Sequence, residues 1–349
     1  MDSMRVVVLH GAVPADAPPD ERDVLVEVET VCAALRGNGY EVETLGVGRD
    51  LGGAARGLRR ADADVVFNLV ESLDGRGELI ALVPSLLEHL GLPYSGCPAH
   101  AILLTSNKLT AKAAMRAAGV ATPAWLPAEA APAAGRLDRP YIVKSVWEHA
   151  SIGLDGASVV TTAANLAEAI RSLQNRVGGQ VFCEQFIDGR EFNISMLETD
   201  NGPRCLPPAE ILFEGWPGGH PRIVGYQAKW DESSPEYQAT VRRFDFHAGD
   251  RALLGRVVSV ALRCWEVFDL HGYARVDFRI DGEGRPWVLE VNTNPCLSPD
   301  AGFMAAADRA GLSGDDVVTE ILARATEPGS ERAVSHGHFR GQEPGRYAG

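Results

Sequence analysis

Two rhythms of hydrophobic and polar residues alternate along this chain, one of period two and one close to the helical repeat. Arg5-Val-Val-Val-Leu9 is an apolar run of strand length, and after the Pro-rich stretch from Gly11 to Asp20 a helical pattern extends from Val24 to Arg36 and stops at Gly37-Asn38-Gly39. Tyr40 to Leu45 and Asp64 to Val70 read as a second and third strand, joined by a connection rich in Ala, Gly and Arg. Leu79 to Leu90 reads as a helix, and Gly91-Leu-Pro-Tyr-Ser-Gly96 as a turn into a short closing strand. Strand and helix in alternation predict an α/β domain with a parallel sheet. Its ligands should bind beyond the carboxyl ends of the strands, where Glu71 and Ser72 stand.

Period two is clearest between Tyr273 and Ile280, where Ala274, Val276, Phe278 and Ile280 alternate with Arg275, Asp277 and Arg279. Asp281-Gly282 is a hairpin signal. Beyond it Trp287, Leu289 and Val291 fall on one side and Val288, Glu290 and Asn292 on the other. Pairing Ile280 with Trp287 sets Asp277 opposite Glu290 and Arg275 opposite Asn292, with Cβ atoms about 5 Å apart. Two carboxylates so placed repel unless a cation relieves them, and Asp, Glu and Asn offer only oxygen, which suits Mg²⁺ and not zinc. The alternative is an edge hairpin with a solvated polar face.

Elsewhere, Pro140-Tyr-Ile-Val-Lys144 is a strand ending in a lysine, followed by the small-residue loop Ser145 to Ser158 whose N–H groups could receive phosphate. Val181 to Ile187 and Leu206 to Ile211 read as strands. A Gly- and Pro-rich loop through Gly215 and Gly219 leads to Tyr226-Gln-Ala-Lys229-Trp230, and Leu253 to Phe268 is an amphipathic helix.

Composition narrows the picture. With 349 residues, 45% hydrophobic and 23% charged, the chain is a globular protein long enough for two or three domains. A formal net charge of -14 argues against nucleic acid or an anionic membrane as partner, although a local basic patch can still hold small anions. No stretch approaches the roughly 20 apolar residues of a membrane-spanning helix, and the N-terminus leads straight into a strand, so a cytoplasmic location is expected. Cysteines at 32, 97, 183, 205, 264 and 296 show no paired spacing, which predicts reduced thiols.

Glu290-Val-Asn292-Thr-Asn294-Pro295, following Arg275-Val-Asp277, resembles the closing motif of the ATP-grasp superfamily in its D-alanine:D-alanine ligase branch. The stretches from Glu78 to Gly96 and from Thr105 to Pro123 resemble the same branch, and the resemblance covers roughly residues 60 to 325. It implies an ATP-grasp fold preceded by the parallel-sheet domain. The divisions would be residues 1–103 for the N-terminal domain, 104–187 for a nucleotide lid and 188–325 for a catalytic domain, with a disordered tail from 326 to 349. It also implies ATP and two Mg²⁺ (or Mn²⁺) ions. Lys108, Lys144 and Ser151 would then meet the phosphates, and Glu184 would accept from the adenine amino group. The main chain from Gln185 through Phe186 to Ile187 would meet the ring edge, and Glu191 the ribose hydroxyls. Lys229 would close over the γ-phosphate, Asp277, Glu290 and Asn292 would hold the metal, and Arg275 would stabilise a tetrahedral oxyanion.

Such a family activates a carboxylate as an acyl phosphate, lets an amine attack it and releases ADP. The partners implied are small carboxylate and amine substrates, with a homodimer as the expected assembly. Three departures bear on the substrate. The N-terminal Gly-Gly-x-Ser motif is replaced by His10-Gly-Ala-Val-Pro-Ala-Asp16, the His-Gly-x-x-Gly-Glu segment by Asn68-Leu-Val-Glu71-Ser-Leu-Asp-Gly-Arg-Gly77-Glu78, and Cys296-Leu-Ser298-Pro-Asp300 stands where a Ser-Leu clamp is expected; a further departure, His149-Ala150-Ser151-Ile152-Gly153 where the family has Gly-Ser-Ser-Val-Gly, bears on a phosphate contact. They favour a ligase for a non-standard amino acid or peptide-like metabolite, with Glu71 and Asp300 turning negative charge towards the acceptor. A genuine cell-wall D-alanine:D-alanine ligase and a non-catalytic nucleotide-binding regulator are the alternatives.

Overall fold

The structure, a computed structural model, describes residues 3–326 except positions 15, 18, 133, 149, 150, 152 and 217. Of the tail expected to be disordered, Thr326 ends the last helix and residues 327–349 lie outside the described residues, as do the loop positions His149, Ala150 and Ile152.

The first unit is the α/β domain that the alternation predicts. Strands β1 (Arg5–Gly11), β2 (Glu41–Val47) and β3 (Val65–Asn68) form a parallel sheet in the order β2-β1-β3. Helix α1 (Pro19–Gly37) begins five residues before the expected Val24, because a proline in the first helical turn gives up only an N–H that has no partner there. The Ala-, Gly- and Arg-rich connection is itself a helix, α2 (Leu51–Ala61), started by Asp50, whose side chain accepts from Gly53 N. The helix expected from Leu79 begins later, as α3 (Leu82–Leu90), and the expected closing strand is a single bridge between Val66 and Tyr94.

Helices α4 (Ala99–Ser106) and α5 (Lys108–Ala117) follow. A second sheet comprises β4 (Trp125–Pro127), β5 (Arg136–Ser145), β6 (Val159–Thr162) and β7 (Val181–Gln185), antiparallel in the order β4-β7-β5-β6 and backed by α6 (Ala163–Val177). The third and largest sheet holds β8 (Arg190–Thr199), β9 (Gly202–Cys205), β10 (Ala209–Phe213), β11 (Thr240–Arg243), β12 (Tyr273–Ile280) and β13 (Pro286–Asn292), with the short helices α7 (Tyr226–Trp230) and α8 (Pro235–Ala239) and the longer α9 (Arg251–Val267) inserted. One face of this sheet, through Phe192, Ile194, Met196, Val276 and Phe278, shares a core with α4, α5 and α9. On the other face Tyr273 and Leu197 pack towards the first sheet, and the positions from Arg275 to Arg279 are polar. The final helices, α10 (Gly302–Arg309) and α11 (Gly314–Thr326), fold back to cover the first sheet beside α1.

Within the hairpin β12–β13, β12 is an interior strand, since it pairs with β8 on its other side, while β13 ends the strand order. Asp277 stands opposite Glu290 and Arg275 opposite Asn292, as expected, but Ile280 pairs with Pro286 and not Trp287. A bulge after Asp277 accounts for the difference. Val288 gives its N–H to Ala121 O (2.9 Å) and its carbonyl accepts from Thr122 Oγ1 (2.8 Å), so Leu289 drops out of the pairing and Val288 turns into the core beside Phe278. The left-handed residue of the connecting turn is Gly284, not Gly282, and the Asp281 carboxylate organises the turn by accepting from Glu283 N, Arg285 N and Trp287 Nε1. The cysteines among the described residues are all free.

Candidate active site

Alternation along β8, β12 and β13 places Glu191, Asn193, Arg275, Asp277, Arg279, Glu290 and Asn292 on the polar face of the large sheet. Asp277 is buried and receives Arg275 in bidentate fashion, Nε to Oδ1 at 2.8 Å and Nη2 to Oδ2 at 2.9 Å. Asn193, directly across on β8, adds a third bond to Oδ1 at 2.7 Å. Burial works against the Arg275 charge, but the Asp277 carboxylate outweighs it and holds the guanidinium pKa above its ordinary value. Asn292 Oδ1 accepts from Asn294 N at 3.0 Å, which fixes its amide group.

Among the described residues no group of three His, Cys, Asp or Glu side chains is arranged to hold a metal. The candidate set is two carboxylates and an amide, all oxygen donors. That set fits Mg²⁺, which takes one or two carboxylates and completes its shell with oxygens from water or phosphate. The opposed carboxylates are already met by cations from the chain, Arg275 at Asp277 and Lys108 Nζ at 3.8 Å from Glu290.

Helix α5 supplies Lys108 from a well-defined start: Asn107 caps it, accepting from Leu109 N and Thr110 N, both at 3.0 Å. Lys108 and Lys112, four residues apart, share one face. Lys108 donates to Glu148 O at 2.5 Å, and Lys112, 1% exposed, donates to Thr122 Oγ1 at 2.7 Å and pairs with Glu184. Glu184, equally buried, also receives Lys144 Nζ at 2.6 Å. Burial alone would raise the Glu184 pKa, and the two lysines reverse that and hold it below the ordinary range; burial lowers the pKa of both Lys108 and Lys112. The carboxylate expected to meet an adenine amino group thus faces two ammonium groups. Replacing Lys112 by Met should cost about 3 kcal/mol of unfolding free energy, since the buried Glu184 keeps one partner of two. Denaturant unfolding checks this, and a loss under about 1 kcal/mol would contradict it.

Lys229 lies on α7, where a loop lysine was expected. Burial and the nearby Arg275 lower its pKa, against Glu290, Asp277 and Glu191, and among the described residues no carboxylate comes within ion-pair distance of it. The segment carrying it is laid on the phosphate loop: Tyr226 N donates to Leu154 O at 3.0 Å, and Ser151 Oγ donates to Val224 O at 2.8 Å. Ser151 therefore holds the segment rather than projecting a free hydroxyl, and it does so at φ +60°. A side chain at position 225 would meet Leu154 O at 2.7 Å, so this contact requires Gly225.

At the exit of β7, Gln185 N and Phe186 N are spent on Ala124 O and Pro140 O, while the Ile187 N–H has no backbone acceptor among the described residues. Glu191 is bound by Arg279 at 2.7 Å. Glu71 is exposed just beyond β3. Asp300 is exposed as well and does not cap the following helix, whose first residue is preceded by Ala301 with no side-chain bond; its carbonyl instead accepts from Arg242 at 3.5 Å. The Cys296-Leu-Ser298 segment is held against α1, with Leu297 N donating to the buried Glu27 at 2.7 Å and Ser298 Oγ to Asp23 at 3.2 Å.

The sequence reading missed Asn193, Lys112 and Arg279. Asn193 shares a face with Glu191 two residues earlier, and Lys112 follows Lys108 by one helical turn. A simpler signal exists: the chain contains four lysines, Lys108, Lys112, Lys144 and Lys229, and all four lie here.

The chain resembles known proteins over most of its length. The family model described as D-ala D-ala ligase C-terminus matches residues 121–323. A D-alanine–D-alanine ligase of Gloeobacter violaceus is 31% identical, covering 93% of this chain and 100% of that protein. Among solved structures, a D-alanine–D-alanine ligase from Bacillus anthracis complexed with ATP superposes with a TM-score of 0.69 at 22% identity, covering 93% of this chain and 97% of its own. The VanG D-Ala:D-Ser ligase from Enterococcus faecalis does so with 0.70 at 16%, covering 93% and 100%.

Proposed function

Since this chain belongs to the D-alanine–D-alanine ligase family of ADP-forming ATP-grasp enzymes, we propose that it joins two molecules of D-alanine through an amide bond. The departures at the N-terminal motif and after Pro295 favoured a non-standard substrate. Relatives named for D-alanine that match over 93% of the chain support the D-alanine reading better. The family's activity also sets aside the non-catalytic regulator. Among the described residues no helix is long and apolar enough to cross a membrane.

The observation that carries the proposal is the convergence of every lysine in an acidic chain on one face with an opposed Asp277 and Glu290. Lys108, Lys144 and Lys229 would neutralise phosphate oxygens, a demand that crowded negative charge imposes. Asp277, Glu290 and Asn292 would hold Mg²⁺, with two ions as the expected number, and the metal would draw charge from the transferred phosphate. Arg275 sits beside them to receive the oxyanion that forms when the amine attacks. Ile187 N–H and the Glu191 carboxylate would seat the base and ribose. No enzyme nucleophile is required: burial, reinforced by Glu27 and Glu71, raises the Cys296 pKa far above the ordinary thiol value, so this thiol stays protonated.

Inorganic phosphate release across an amino-acid panel tests the proposal. Release should require D-alanine together with Mg²⁺, exceed that with L-alanine or D-serine at least about tenfold, and yield a dipeptide by mass. Release supported by another amine but not by D-alanine would return the non-standard reading.

A further inference from the structure

Arg279 takes no part in the chemistry set out above, yet its guanidinium is among the best held groups on the polar face. It is 4% exposed. A guanidinium so far from water is stable only where its N–H groups find acceptors, and here they come from separate segments. Nη2 meets Glu191 Oε2 at 2.7 Å across the β12–β8 pairing and also the carbonyl of Arg222, while Nη1 meets Gly189 O at 3.1 Å. The Phe186 and Phe213 rings lie 5.7 and 5.5 Å from its central carbon.

Phe186 and Gly189 belong to the turn after β7, and Glu191 to the start of β8. Phe213 ends β10, and Arg222 lies in the connection that leads, seven residues on, to Lys229. Gly189 has φ +149°, and a Cβ there would stand 1.9 Å from Ile280 O, so only glycine lets the turn settle against the end of β12 within reach of Arg279.

We infer that Arg279 is a positioning residue for ATP: one planar side chain fixes the Glu191 carboxylate and ties down the segment carrying Lys229, so that the nucleotide seat and its cover are set together. The inference rests on the reading that Glu191 and Phe186 belong to that seat. Lysine cannot reproduce it, because a single ammonium lacks both the fork of donors and the flat surface between two rings.

The test uses the full chain, with steady-state kinetics in ATP and chymotrypsin cleavage after Phe213 or Tyr226, with and without MgATP. In wild type, MgATP should protect these sites. Arg279→Met should raise the KM for ATP about tenfold or more with kcat changed less than about threefold, and should lose the protection; Arg279→Lys should fall between. A folded Arg279→Met with wild-type KM and protection, whatever its Tm, overturns the inference. Should that variant not fold, wild-type values in Arg279→Lys overturn it. Wild type that MgATP does not protect overturns the nucleotide seat itself, which separates that failure from the failure of Arg279 alone.

Discussion

Glu290→Gln should leave a folded protein that forms no measurable ADP. The substitution keeps shape and removes one of the two charges that face each other across the β12–β13 pair. Glu290 is partly exposed and lies 3.8 Å from Lys108, a contact that a neutral amide can keep as a polar one, so unfolding should shift little. The metal loses more. Asp277 is already bound by Arg275 and Asn193, and in place of Glu290 a neutral amide offers Mg²⁺ a far weaker ligand than a carboxylate. The drop in kcat should reach at least about 10³, or ~4 kcal/mol. Coupled ADP assays with unfolding curves on the same preparation check it; turnover within tenfold of wild type would remove Glu290 from the metal set.

Lys229→Ala should slow turnover about 10²- to 10³-fold while the KM for ATP moves less than about fivefold. The reason is the lysine's setting. In the free protein its charge is disfavoured by burial and by Arg275, and among the described residues no carboxylate sits within ion-pair distance to offset this. Its attraction is therefore kept for charge that develops as the phosphoryl group moves. The pH dependence follows from the direction of the shift. A lowered lysine pKa means the proton is lost as pH rises through a value below the ordinary 10.5, so kcat/KM for ATP should fall on the alkaline side before an ordinary lysine would titrate. That limb should shrink in Lys229→Ala, with what remains belonging to Lys108, whose pKa is lowered as well. A single-turnover burst of wild-type size in the variant would show that Lys229 serves binding alone.

What the sequence made legible was local. Alternation in Tyr273 to Ile280 and in Glu290 to Asn292 was enough to set Asp277 against Glu290, because side chains in a strand cannot choose their face. The bulge was not legible, since Val288 is drawn aside by Ala121 and Thr122, far away along the chain. The same holds for Glu184, whose two ammonium partners arrive from α5 and β5, and for Ser151, whose hydroxyl is taken by the distant Val224. Helix α2 was hidden for a different reason: Gly52, Gly53 and Gly57 weaken its intrinsic preference, and packing of Leu58 and Ala54 on the first sheet supplies what propensity lacks.

The lysine distribution has a use in the laboratory. A chain that carries its surface positive charge on arginine leaves primary amines at the site and the chain terminus. Reductive methylation with ¹³C-formaldehyde should therefore decorate this protein with a handful of NMR resonances. Those from lysine would all report on the place where phosphate is proposed to bind, with no crowd of surface signals to assign. Their order of labelling would rank the four amines by accessibility, the half-buried Lys229 ahead of Lys112, whose ammonium is closed off by Thr122 and Glu184.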